Sequence, residues 1–281
     1  MASILLLCHR TGSAFRTYQP AAALRMRCKC HLSGSSNDAS SSSWASLGPL
    51  LRPELVEAVN RLGYDQMSDI QAKALPFALR GRDVLGRAKT GSGKTAVFGL
   101  SALQSLDMSD SESIRKARSS GVSGAPQVLV LSPTRELAAQ LAASVRRLGA
   151  PLGEQQGGGL RVVSCVGGAK SRDQKAALAS PSGVHIVVGT PGRLRAHIAS
   201  GAIDTSQVRT LVLDEADTLL DMGFEDEVNA IVKAVPRRQR QTLLFSATWS
   251  ERVRSLGRRA CSDPAVVSIG EGGGDILKKV R

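Results

Sequence analysis

The sequence predicts a doubly wound α/β domain, one mostly parallel sheet covered by helices on both faces. Three observations carry that expectation. From residue 49 onward, short β-branched or aliphatic runs alternate with stretches of helical periodicity. Almost every such run ends in a polar or Gly-rich cluster. The 281 residues, 42% hydrophobic and 22% charged, suffice for one core-forming domain of ordinary size with little left over. The same composition excludes a fully disordered chain and a collagen-like repeat. The longest apolar stretch near the start, residues 4–7, falls far short of the ~18 residues a membrane span requires.

The first 42 residues carry Arg10, Arg16, Arg25, Arg27 and Lys29 against one acid, Asp38, and end in a serine run. Basic, Ser/Ala-rich and nearly acid-free is the composition of an organellar transit peptide, chloroplast ahead of mitochondrion. A disordered basic tail, with the chain in cytosol or nucleus, is the plainer alternative. The expected domain covers 43–270, and 271–281 reads as the start of a linker. Leu55, Val59 and Leu62 recur at helical spacing, as do Leu137, Leu141, Val145 and Leu148. Strand-like runs fall at 84–85, 128–131, 162–166, 184–188, 211–213, 242–245 and 265–267. Residues 107–126, Ser/Gly-rich and charged without period, read as a flexible surface loop. In the body, Cys165 and Cys261 form neither a disulfide framework nor a metal-ligand spacing. Nothing in the pattern indicates an internal repeat or self-association.

The formal net charge is +13. Taking away the first 42 residues removes five of 37 basic and one of 24 acidic residues, so the body keeps +9. That excess implies a polyanionic partner. Aromatics are only 3% of the chain, which disfavours a stacking surface for bases and favours contacts to a sugar-phosphate backbone.

The first chemical site is Ala88-Lys89-Thr90-Gly91-Ser92-Gly93-Lys94-Thr95, between an apolar run and a helix opening near Lys94. Glycines at 91 and 93 let backbone amides curl around phosphate oxygens where a Cβ would obstruct. Lys94, expected at an exposed helix start with the ligand as its strong partner, would reach the β and γ phosphates. The Thr95 hydroxyl would sit on Mg²⁺. The helix N-terminus adds partial positive charge. The bland alternative, a Gly-rich turn that binds nothing, does not explain the Lys-Thr pair.

The second site is Asp214-Glu215-Ala216-Asp217, directly after 211–213. Mg²⁺ takes oxygen ligands and keeps most of its waters, so Asp214 at the end of a buried strand is a suitable anchor. Glu215, pointing elsewhere, would orient or deprotonate the attacking water. Alone, the cluster reads as a helix cap; beside a phosphate loop it reads as catalytic. The other strands run into Ser132-Pro133-Thr134-Arg135-Glu136, Gly167-Gly168, Gly189-Thr190-Pro191-Gly192-Arg193 and Ser246-Ala247-Thr248. In an open parallel sheet these carboxyl ends form one ligand-binding edge. Each cluster alone reads as a helix cap. As a set, with helix N-termini behind Thr134 and Thr190, they favour a bound polyanion.

At these residues the chain resembles the first RecA-like lobe of the DEAD-box RNA helicases. The matching motifs run in order across 44–269: the phosphate loop, Pro133-Thr134-Arg135-Glu136-Leu137-Ala138, Gly167-Gly168, Thr190-Pro191-Gly192-Arg193, the acidic motif and Ser246-Ala247-Thr248. The wording around Ala88-Lys89-Thr90 and Leu244-Phe245-Ser246-Ala247-Thr248-Trp249 is most similar to the bacterial branch acting on large-subunit ribosomal RNA. The resemblance implies a single RecA-like P-loop domain with ATP and Mg²⁺, and RNA held by its backbone at Pro133, Thr134, Arg135, Gly167, Gly168, Thr190, Gly192 and Arg193. It implies that Gln71, after Gly63-Tyr64, reads the adenine edge. Ser246 and Thr248 would couple ATP state to RNA grip. Met67-Ser68-Asp69-Ile70 departs from the family's usual Pro-Thr-Pro-Ile, and Trp44 stands for an upstream phenylalanine. The family's second lobe, whose arginines complete the ATP site, does not follow within 281 residues. The expectation is an RNA helicase represented by one lobe, a fragment or truncated product of low ATPase activity. The alternative is a non-catalytic module that binds nucleotide and RNA, or a partner protein.

Overall fold

The computed structural model describes residues 43–108, 124–154, 159–180, 183–238 and 240–269. The expected transit peptide, the linker and residues 109–123 of the expected loop lie outside the described residues. The two ends of that loop are tied together: the Asp107 N–H donates to Gln127 Oε1 at 2.8 Å and Gln127 Nε2 donates to the Asp107 carbonyl at 2.9 Å.

Seven strands form one sheet, β1 (Val84–Arg87), β2 (Val128–Leu131), β3 (Val162–Cys165), β4 (Ile186–Gly189), β5 (Thr210–Leu213), β6 (Gln241–Ser246) and β7 (Ala265–Ser268). Their spatial order is β3-β4-β2-β5-β6-β1-β7 and every pairing is parallel. A parallel sheet buried on both faces needs continuous apolar strands rather than alternating ones, which is what the short runs in the sequence supply. Side-chain alternation then divides them: Val128 and Val130 enter one core, Leu129 and Leu131 the other. The first core is covered by α1 (Pro53–Arg61), α2 (Asp69–Ala78), α3 (Lys94–Ser105), α4 (Arg135–Leu148) and α5 (Ala150–Glu154). The second is covered by α6 (Ser171–Leu178), α7 (Pro191–Ala199), α8 (Ala216–Asp221), α9 (Glu225–Ala234) and α10 (Glu251–Ala260).

This division positions the sites. The helix after β1 goes to one face and the helix after its neighbour β6 to the other, so a crevice opens between them at the carboxyl edge. The same reversal occurs between β2, followed by α4, and β4, followed by α7. Crevices at such reversals are where open α/β sheets bind ligands.

Several boundaries differ from expectation for identifiable reasons. β4 runs from Ile186 to Gly189 instead of 184–188, because Ile186 pairs with Val128 and Gly189 with Leu131. Gly189 belongs inside the sheet: a Cβ there would lie 2.1 Å from the Cys165 carbonyl. Ser246 is likewise the last residue of β6, paired with Arg87. On α4 the buried stripe is Ala138, Leu141, Ala142, Val145 and Leu148, with Leu137 only half-buried.

Candidate active site and nucleic-acid cleft

The phosphate loop links β1 to α3. Gly91 has φ 82° and Gly93 φ 93°, backbone that residues with a Cβ rarely adopt. At Gly93 a Cβ would also lie 2.6 Å from Gln71 Nε2 and 2.8 Å from Ser68 Oγ. The loop is braced from α2: Ser68 Oγ donates to the Ser92 carbonyl at 2.8 Å, and Gln71 Nε2 donates to the Gly93 carbonyl at 3.1 Å. Gln71 Oε1 accepts from the Ser68 N–H at 2.8 Å. Both ends of the Gln71 amide, expected to read adenine, are thus engaged within the chain. Tyr64, at the same site by expectation, is 37% exposed and stacks on Trp44 with ring centroids 6.0 Å apart. Trp44 itself is buried in the first core.

Lys94 departs from expectation. It is 6% exposed, and its Nζ donates to the Ala88 carbonyl at 2.9 Å. Ala88 is also tied through its N–H to the Ser246 carbonyl at 3.0 Å. The ammonium therefore lies inside its own loop, held by the Ala88 carbonyl. Lys89, Thr90 and Gly91 are exposed at the tip, while Ser92 and Thr95 are half-buried. Open backbone at glycine φ values, a buried ammonium and a helix N-terminus fit a bound triphosphate.

Asp214 directly follows β5 beside this loop and is 6% exposed. Burial pushes its carboxyl up to about 6 from 3.8; Lys94 pulls it down and Glu215 pushes it up. The Asp214 carboxylate and the hydroxyl of Thr95, in the first turn of α3, are oxygen donors of the kind a hydrated Mg²⁺ takes. Glu215 sits at φ 50°, a left-handed conformation unusual for a residue with a side chain, and its Oε1 accepts from Thr90 Oγ1 at 3.1 Å. The turn aims Glu215 at the phosphate loop while Asp214 stays buried, so adjacent carboxylates take separate roles. Asp217, which the sequence reading left without a role, accepts from both the N–H and the hydroxyl of Thr248 at 3.0 Å. Burial would raise its carboxyl, but these bonds outweigh burial and hold it below the usual range. The buried Ser246 hydroxyl lies beside the same carboxylate and adds to that lowering.

Between pH 3.8 and about 6 the native chain keeps an Asp214 proton that the unfolded chain has released. Ligand-free stability therefore falls as pH rises through that window, and above it the buried carboxylate costs up to about 3 kcal/mol. Asp214→Asn is expected to raise the melting temperature of the ligand-free chain at neutral pH while removing the Mg²⁺-dependent part of ATP affinity. The gain will be below that ceiling, because Lys94 loses its counter-charge. Thermal denaturation of both proteins checks this; a lower melting temperature for the variant contradicts it.

The second crevice opens into a cleft of ≈ 610 Å³ lined by Pro133, Thr134, Arg135, Glu136, Gly167, Thr190, Gly192, Arg193, Met222 and Phe224. All the residues that the resemblance assigned to the RNA backbone line it except Gly168, where a Cβ would come within 2.0 Å of the Arg135 guanidinium; Ser246, Ala247 and Thr248 lie outside it. Thr134 is a helix cap after all, its Oγ1 accepting from the Leu137 N–H at 3.2 Å. Thr190 makes no such cap bond; its Oγ1 accepts instead from the Gly167 N–H at 3.4 Å, joining two of the motifs. Arg193 donates to Gln174 Oε1 at 3.4 Å, and Gln174 Nε2 donates to the Val166 carbonyl at 2.8 Å. At Gly192 a Cβ would meet nothing within 4 Å, so no packing among the described residues demands glycine there. The sequence reading missed Met222 and Phe224, whose only local signal is Gly223 between them.

The DEAD/DEAH box helicase family model matches residues 68–256. The ATP-dependent RNA helicase DeaD of Escherichia coli is 44% identical over 226 residues, covering 80% of this chain and 32% of that protein. The ATP-dependent RNA helicase DbpA of the same species is 41% identical over 220 residues, covering 78% of this chain and 44% of that protein. The chain thus spans less than half the length of these relatives. The crystal structure of a DEAD box protein from the hyperthermophile Methanococcus jannaschii superposes with a TM-score of 0.67 at 29% identity, covering 81% of this chain and 56% of that one. The phosphate loop, the Asp214–Glu215 turn and the Arg135–Arg193 cleft all fall inside the matched span, and the chain belongs to the DEAD/DEAH box helicase family.

Proposed function

We propose that this chain is the nucleotide- and RNA-binding lobe of an ATP-dependent RNA helicase that hydrolyses ATP and locally remodels RNA duplexes. The observation that carries it is the shared edge: the phosphate loop and acidic turn open on one crevice, the polyanion cleft on the next, and β5 with α8 runs between them. Bound Mg²⁺ would neutralise phosphate charge, held through water by Asp214 and by the Thr95 hydroxyl. Lys94 orients the outer phosphates, and Glu215 holds or accepts the proton of the attacking water. Asp217 and Thr248 fasten the acidic helix to the end of β6, the fixed connection through which the two crevices would sense each other. A second lobe supplying arginines to the far side of the γ-phosphate completes the activity.

The basic, acid-poor composition of the first 42 residues supports an organellar address, chloroplast or mitochondrion. A fluorescent fusion of that segment remaining in the cytosol would refute it. The similarity of two motifs to the ribosomal-RNA branch supports a ribosomal RNA target.

Arg135 and Arg193 are the two cations of the cleft, so single-stranded RNA binding should show a log–log salt slope of about −1.4. Fluorescence anisotropy from about 50 to 200 mM salt measures this, about a sevenfold loss. Affinity that does not change with salt, or that is unaffected by Arg193→Ala, contradicts the reading. Stronger competition by DNA than by RNA oligonucleotides would assign the cleft to DNA.

A further inference from the structure

Two large hydrophobic side chains are notably exposed among the described residues, Tyr64 at 37% and Met222 at 50%. Tyr64 is stacked on Trp44. Met222 stands in the wall of the polyanion cleft, with half-buried Phe224 beside it packed on the second core. A single exposed hydrophobe is unremarkable on a protein surface. This one shares a cleft with Arg135, Arg193, Thr134 and Thr190.

Its backbone is fixed. The Met222 N–H donates to the Thr218 carbonyl at 3.0 Å, the Gly223 N–H to Leu220 at 3.1 Å and the Phe224 N–H to Leu219 at 3.1 Å. With Gly223 at φ 82°, these bonds close the end of α8 in the manner of a glycine C-cap. The thioether is thus presented from a rigid turn, so little backbone ordering is required when something packs on it. Gly192, also in the lining, leaves open space for that occupant.

We propose that Met222, backed by Phe224, is the ledge on which the ribose-and-base side of a bound RNA strand rests, and that it makes the cleft prefer a single strand to a duplex. The inference rests on reading the cleft as an RNA site. The charged and hydroxylic residues engage phosphates, which single strands and duplexes both present. Along the strand, base faces are open only when it is single, where a polarisable thioether can pack against them; a duplex shows them only at its two ends. Between its ends a duplex stacks those faces against each other and offers the ledge nothing.

The test is fluorescence anisotropy of the 281-residue chain with a labelled single-stranded RNA oligonucleotide and with its blunt duplex, for the wild type and for Met222→Ala, Met222→Leu and Arg193→Ala. Met222→Ala should weaken single-strand binding about three- to tenfold while duplex binding and the salt slope stay as in the wild type. Met222→Leu should recover most of the loss. Arg193→Ala should weaken both substrates. Unchanged single-strand affinity in Met222→Ala, or equal losses for strand and duplex, overturns the ledge while leaving the RNA site standing. Wild-type chain that binds neither RNA overturns the site and the ledge together.

Discussion

Lys94→Ala is expected to abolish nucleotide binding, a loss of at least about 100-fold, while the fold remains. The ammonium is buried inside the phosphate loop, 2.9 Å from the Ala88 carbonyl, and is the group that draws Asp214 downward. Two charged hydrogen bonds to phosphate, each contributing about 1.5–3 kcal/mol, are enough for that loss. Because Lys94 is buried, the substitution has a second effect: Asp214 loses its nearest cation and its carboxyl should rise further. α3 keeps its buried face of Val97, Phe98, Leu100 and Leu103, so the helix stays in place. Titration calorimetry with a non-hydrolysable ATP analogue measures the loss, and circular dichroism confirms folding. Retained affinity would place the phosphates elsewhere.

Glu215→Gln should leave Mg-ATP binding within about twofold and reduce RNA-stimulated turnover by about 10²- to 10⁴-fold in the proposed two-lobed enzyme. The side-chain oxygen that accepts from Thr90 at 3.1 Å is present in glutamine too. The left-handed turn at φ 50° accommodates both residues equally, so neither geometry nor strain changes. Only the capacity to take a proton is removed. Steady-state phosphate release checks this, and near-normal turnover would move the base to another residue.

The core of the fold was legible because a parallel sheet buried on both faces leaves an unmistakable record. Residues 128–131 are four consecutive apolar residues, and they form β2 with the bounds expected. Boundaries shifted where partners, not composition, decided them: Gly189 and Ser246 lie in strands because Leu131 and Arg87 pair with them. The phosphate loop and the cleft were legible because glycine and helix-start chemistry are local. Three features were not. The burial of Lys94 depends on the loop folding back over it. The engagement of Gln71 with the Gly93 carbonyl depends on α2 packing against α3. The place of Met222 in the cleft depends on where α8 ends relative to α4 and α7. Each arises from elements distant in sequence.

In the proposed function one edge of the sheet carries two neighbouring sites, nucleotide at one crevice and RNA at the next. Backbone amide NMR of the isotope-labelled chain, titrated separately with a Mg-bound ATP analogue and with single-stranded RNA, tests it most directly. The analogue should shift residues 88–95 and 214–217, and RNA should shift residues 134–136, 167–168, 190, 192–193 and 222–224. Shifts from either ligand centred on the opposite edge, around Asp83, Gln127, Arg209 and Gln241, would contradict it.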